Sequence, residues 1–179
     1  HRVRRAWMGS SHARDDDARR QPTAAVDVPD PEDQKVVREL MGAAVDRVRG
    51  AASVVDYLNL LLSLHYLHRA DSARWSRLWK RAGTITDLDG ASRLIREIGR
   101  AIDEDMHRFA VTSGMEEALG RLEPRTARDL RQVIDRVSRL RGDVFGLILD
   151  EYEQRAALGS REFFTPRPVV RLMTRLALS

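Results

Sequence analysis

The sequence predicts an all-α protein, a compact multi-helix bundle of six to eight helices. Three observations predict it. Apolar residues recur at i, i+3, i+4 and i+7 through most of the chain, as one face of a helix requires. No alternating apolar and polar run extends beyond a few residues, and no internal repeat is present. Helix starts are marked by a capping residue followed by proline, at Asp30-Pro31 and again at Thr165-Pro166.

Residues 1–29 show no periodicity. Their Arg-rich start, the Asp15-Asp16-Asp17 run, and Pro22 and Pro29 predict a disordered arm, with a DNA-binding arm as the sharper alternative. A helical domain over 30–158 follows. Asp30-Pro31-Glu32-Asp33 opens it, and Val36, Val37, Leu40, Met41, Ala44, Val45 and Val48 trace one stripe, predicting one helix that stops at Gly50. Ser53 to Arg69 is apolar on almost every side, so it is the predicted central buried helix, with Leu60, Leu61, Leu64 and Leu67 in the core. His65 and His68 lie three apart on it, with no cysteine and no third ligand nearby. They predict half-buried histidines at a helix surface rather than a metal site.

Trp75, Leu78 and Trp79 predict a short helix from about Asp71, with both indoles in one packed face rather than stacked on bases. Asp87 to His107 is the clearest amphipathic stretch, with Leu94, Ile95, Ile98, Ile102 and Met106 on one stripe and Arg93, Arg96, Glu97 and Arg100 elsewhere. Its Asp103-Glu104-Asp105 run resembles a metal or acid–base cluster on paper. Consecutive helical residues diverge, so a solvated face is the expectation. Gly114 and Gly120 bracket a short helix around Met115 to Leu119, before Pro124 breaks the chain.

From about Arg125 to Leu140, Ala127, Leu130, Val133, Ile134, Val137 and Leu140 trace one face, and Arg128, Arg131, Asp135, Arg136 and Arg139 the other. Arg128, Arg131 and Arg139 are the candidate DNA contacts here: the stripe either follows a phosphate backbone or is an ordinary solvated surface. Asp143 then caps a helix from Val144 to about Ala157, with Val144, Phe145, Ile148, Leu149 and Tyr152 predicted buried. A last helix is predicted from about Pro166 to the end.

The chain has 179 residues, enough for one domain with a sizeable core, and no cysteine, which excludes disulfides and Cys-based zinc sites. Tyr57 to Leu67, the longest strongly apolar run, is too short to cross a bilayer, so a soluble cytoplasmic protein with no membrane partner is expected. The net charge of +4 suits a nucleic-acid partner. It equally suits an Ala- and Arg-rich composition, because Lys35 and Lys80 are the only lysines.

The segment Gly159-Ser160-Arg161-Glu162-Phe163-Phe164-Thr165-Pro166-Arg167-Pro168-Val169-Val170-Arg171-Leu172-Met173 carries the most specific signal. It resembles the Gly-x-Phe-Tyr/Phe-Thr-Pro-x-x-Val-Val-x-Leu-Met motif that opens the core of adenine-N6 DNA methyltransferases, above all the modification subunits of type I restriction systems. Upstream, Gly142-Asp143-Val144-Phe145-Gly146 with Asp150-Glu151-Tyr152 is similar to the segment that precedes that motif in the family. Tyr57 to Leu67 is similar to an earlier family helix. The three occur in the family's order, and the resemblance covers roughly residues 30 to 179.

The resemblance implies the N-terminal helical domain of an S-adenosylmethionine-dependent enzyme. It implies double-stranded DNA, and a specificity subunit or second modification subunit, as partners. It places Phe163, Phe164, Thr165 and Pro166 at the border of the cofactor pocket. Thr165 as an N-cap with both Phe rings in the core is the plainer reading of the same residues. The family's Gly-rich cofactor loop and Asn-Pro-Pro-aromatic catalytic loop do not occur in these residues, so no catalytic or metal-binding residue is assigned and the piece alone is expected to be inactive. The competing expectation is a non-enzymatic helical interaction module.

Overall fold

The central helix predicted from about Ser53 to Arg69 organises the molecule. The computed structural model describes residues 30–42 and 44–159, the last four by backbone alone. Among them are eight helices and no strand: α1 (Pro31–Met41), α2 (Ala44–Arg49), α3 (Val54–Ala70), α4 (Ser72–Thr84), α5 (Leu88–His107), α6 (Met115–Leu119), α7 (Ala127–Val137) and α8 (Phe145–Gly159). The arm over 1–29, the Phe163 to Pro166 turn and the final helix lie outside the described residues.

α3 packs against α2, α4, α5, α6, α7 and α8. Enclosure on all sides explains why it lacks a polar face: Tyr57, Leu58, Leu60, Leu61, Leu62, Leu64 and Leu67 are all buried. Each buried leucine contributes about 1.5–3 kcal/mol relative to exposure. Ser53 starts the helix with a reciprocal cap, accepting from the Asp56 amide while Asp56 accepts from the Ser53 amide. Arg121 closes on the same carboxylate at 2.6 Å. Burial pushes the Asp56 pKa up, but the hydrogen bonds from Arg121 and Ser53 outweigh it and hold the carboxyl below its ordinary value.

The single helix expected over 31–50 is two helices, broken at Gly42. The buried Tyr57 hydroxyl donates to the Leu40 carbonyl at 2.8 Å. That carbonyl is the acceptor a continuous helix would offer to the amide of Ala44, so the tertiary bond takes the place of a helical one. Gly50 ends α2 as expected, in the left-handed region (φ +58). A side chain there would meet Glu123 at 2.7 Å.

α4 is longer than the short helix predicted, reaching Thr84. Its tryptophans do not share one packed face. Trp75 is buried, its ring 4.8 Å from that of His68, whereas Trp79 is 46% exposed and donates its indole N–H to Asp135 on α7 at 3.0 Å. Residues four apart differ in direction by some 40°, and α4 lies at the edge of the bundle, so only the inner ring reaches the core. In α8, Leu149 and Tyr152 are half-buried rather than buried, because the helix packs on α1 and α3 alone among its larger contacts.

Candidate functional site

Two polar sites stand out, one built to hold the backbone and one open to solvent. The first grips the connection from α7 to α8. Buried Asp33 of α1 accepts the Arg141 amide at 3.1 Å and the Gly142 amide at 2.9 Å. Arg69, near the end of α3, donates to the Arg141 carbonyl at 3.1 Å. His65 of α3 places Nε2 3.3 Å from Asp143 Oδ1 and 3.4 Å from the Val144 amide nitrogen. Asp143 Oδ1 also accepts the Phe145 amide at the start of α8. Side chains from two helices thus hold four consecutive residues of the loop.

His65 is only 2% exposed, which corrects the expectation of a half-buried surface histidine. The start of α8 folds over it, a long-range contact that no local pattern shows. Its Nδ1 is buried with no hydrogen-bond partner. Nε2 cannot accept the Val144 N–H and donate to Asp143 at once: hydrogen on Nδ1 leaves Nε2 to accept the amide, and hydrogen on Nε2 serves Asp143 instead. Burial pushes the imidazole pKa down, against the raising effect of Asp143. His68 is also shifted down, mainly by burial.

The second site lies between α4 and α5, which rest side by side on α3. Arg74, Arg77 and Arg81 of α4 and Arg93, Arg96 and Arg100 of α5 line an open groove of about 920 Å³, together with Glu97 and Glu104. Leu67, Leu78 and Ile98 form its floor. Arg74 pairs with Asp105 at 3.0 Å and Arg81 with Glu97 at 2.5 Å, so two ion pairs tie the walls together. As residue numbers rise on one wall and fall on the other, α4 and α5 run antiparallel. Arg100 pairs outward with Glu116 at 2.6 Å, a hydrogen bond that raises its pKa further. Arg77, Arg93 and Arg96 are exposed and form no ion pair among the described residues.

The acidic run near the end of α5 does not converge, as expected, but a uniformly solvated face is not what forms. Asp103 accepts the Met115 and Glu116 amides, each at 2.8 Å, and the Ser113 hydroxyl, capping α6. Asp105 is buried against Arg74, and Glu104 alone of the three is exposed. Among the described residues no group of side chains is arranged to hold a metal ion. No described helix is long and apolar enough to cross a membrane.

Of the sequence-predicted contacts, Arg128 and Arg131 lie on α7, and Arg139 lies in the turn just past its end. Arg131 donates to the Gly83 carbonyl of α4 at 3.3 Å and lies 3.9 Å from Asp135, while Arg128 and Arg139 are exposed. None of the three lines the groove. The signal that sequence reasoning passed over is a repeated spacing: Arg74, Arg77 and Arg81, like Arg93, Arg96 and Arg100, form an Arg-x-x-Arg-x-x-x-Arg run. Only the adjacency of the two helices gives that repetition meaning. Phe163, Phe164, Thr165 and Pro166 lie outside the described residues. Compared with known proteins, the chain matches no family model, no curated protein and no solved structure.

Proposed function

We propose that residues 30–159 are the N-terminal helical domain of an S-adenosylmethionine-dependent adenine-N6 DNA methyltransferase of a restriction-modification or related phage-defence system, working in the cytoplasm. One observation carries the reading. The two weaker motif segments, Tyr57 to Leu67 and Gly142 to Tyr152, are far apart in sequence yet pack directly together: His65 of the first meets Asp143 and Val144 of the second. Segments that share a structural unit are expected to occur together, which supports reading the two as one signal. α8 leaves that junction, and Phe163 to Pro166 follow it in the sequence.

In this reading the domain contributes no reacting group. Its part is to contact double-stranded DNA and a specificity or second modification subunit, beside a core that binds S-adenosylmethionine and transfers its methyl group to the exocyclic amine of an adenine. An adenine inside a duplex must leave the base stack to be reached, at a cost of a few kcal/mol, so contacts that hold the flanking duplex assist the step. Phe163, Phe164, Thr165 and Pro166 are the proposed border of the cofactor pocket, through the dipole of a capped helix N-terminus and an apolar ring edge.

The test is calorimetry of S-adenosylmethionine on the protein extended by whatever the gene encodes after Ser179. Binding that weakens in Thr165→Ala and Phe164→Ala, with thermal melts showing both variants folded, is the expected result. An extended protein that neither binds the cofactor nor methylates adenine in duplex DNA sinks the reading. Residues 1–179 alone are expected to transfer no methyl group.

A further inference from the structure

We propose that the groove between α4 and α5 is a docking track for the phosphodiester backbone of double-stranded DNA, with Arg77, Arg93 and Arg96 as its phosphate contacts. The choice of DNA as the source of the phosphates rests on the function proposed above; the groove's preference for a polyanion stands on its own geometry.

Composition does not account for this concentration of charge. Between residues 30 and 159 there are 21 Arg and Lys side chains against 22 Asp and Glu, so the helical body is close to neutral. Six of those basic groups nevertheless line one groove with only two carboxylates among its lining. A merely solvated surface intersperses the signs. Here the arginines divide by role. Arg74 and Arg81 are held in ion pairs that bridge the two walls, and Arg100 is held outward by Glu116. The other three form no ion pair among the described residues and leave their N–H donors for a ligand, in the planar fork that meets phosphate oxygens two at a time.

The dimensions suit one strand. The walls are antiparallel, so the track extends from the Arg74–Asp105 pair, past Arg77 and the Arg81–Glu97 pair, to Arg96 and Arg93. Twelve residues of α5 separate its ends, about 18 Å at the helical rise. That length of B-form duplex axis carries about five phosphates per strand. The proposed contacts go to phosphate oxygens, which are alike at every base step, so the contact is sequence-independent. The apolar floor of Leu67, Leu78 and Ile98 is packed into the core and offers no pocket for a peptide side chain.

The test measures duplex DNA affinity of the whole 179-residue chain across a salt series. The variants are Arg77→Gln/Arg93→Gln/Arg96→Gln and, as a control that removes the same charge, Arg128→Gln/Arg131→Gln/Arg139→Gln. Losing three phosphate contacts should make the slope of log K against log salt shallower by about 2.7 and lower affinity at low salt by on the order of tenfold or more. The α7 control should change the slope by less than half as much. Lysine at 77, 93 and 96 should restore the slope, because it keeps the charge that displaces counterions. Equal losses in both triple variants, or none in the groove variant, overturn the proposal. So does polyglutamate competing as well as DNA at equal charge, which would make the groove a dock for acidic peptides. S-adenosylmethionine binding is unaffected by these outcomes, so failure of the groove and failure of the methyltransferase reading are seen separately.

Discussion

The loop between α7 and α8 and the groove between α4 and α5 use the same residue types to opposite ends. In the loop, Asp33, His65 and Arg69 hydrogen-bond to backbone groups and one carboxylate, with Asp33 and His65 buried. In the groove, Arg77, Arg93 and Arg96 stand exposed with no ion pair among the described residues. A buried polar group without a partner costs about 1–3 kcal/mol, so the loop's bonds are conditions of folding. An exposed guanidinium is hydrated and costs little. The contrast separates polar residues that hold this structure from those free to meet something else.

Substitutions can break that contrast, and the largest expected effect is in the loop. Asp33→Ala strips two amides of their acceptor and should lower stability by roughly 3 kcal/mol, or on the order of 10 °C in melting temperature. DNA affinity of the folded variant should stay unchanged. A melt within a degree or two of the parent would mean the loop is not held as described.

A smaller effect is expected from the wall of the groove. Gly99 lies on the face of α5 turned away from solvent, and a Cβ there would sit 2.6 Å from Glu116 Cα and 2.7 Å from the Met115 carbonyl oxygen. Both are backbone atoms that cannot swing aside, so Gly99→Ala should cost about 1–3 kcal/mol by pushing α6 off α5. If the groove needs α5 fixed, the same variant should also weaken DNA binding. Full affinity with a lowered melt would show that the groove arginines act without a rigid wall.

The loop should also respond to pH. Burial lowers the His65 pKa in the folded protein from the ordinary value near 6.5. As pH falls through that value the unfolded chain takes up a proton that the folded state binds less readily, so stability should drop on the acid side. Asp143 opposes the shift, Arg69 and His68 reinforce it, and His68 adds a weaker response of its own. His65→Leu should flatten the decline of melting temperature between neutral pH and about pH 5. An unaltered pH profile would place the proton uptake elsewhere. Asp56, with its lowered pKa, adds a separate loss at lower pH, as the folded-state carboxylate becomes protonated.

The smallest expected effect belongs to the groove arginines. Replacing Arg77, Arg93 and Arg96 by glutamine should move stability by no more than about 0.5 kcal/mol per site, as for other exposed positions. A loss of several kcal/mol in the melt would make these residues part of the scaffold and erase the distinction between the two regions.

Where most helices lie, and the cap at Asp30, were legible in the sequence; the further caps follow the same local rule in the structure. Asp30, Ser53, Asp71, Asp87 and Thr126 each accept an amide in the first turn of the helix that follows, and the leucines of α3 form the core, because capping and helical periodicity depend on residues within one or two turns. What only the tertiary structure decided depends on residues far apart in the chain. Tyr57 bonds a carbonyl 17 positions away beside the break in the first helix, His65 is enclosed by a segment 79 positions on, and the two arginine runs become one groove because α3 holds α4 beside α5. No local spacing encodes those meetings. They follow from how amphipathic faces close around a helix that has no polar side of its own, which is a property of the assembled bundle.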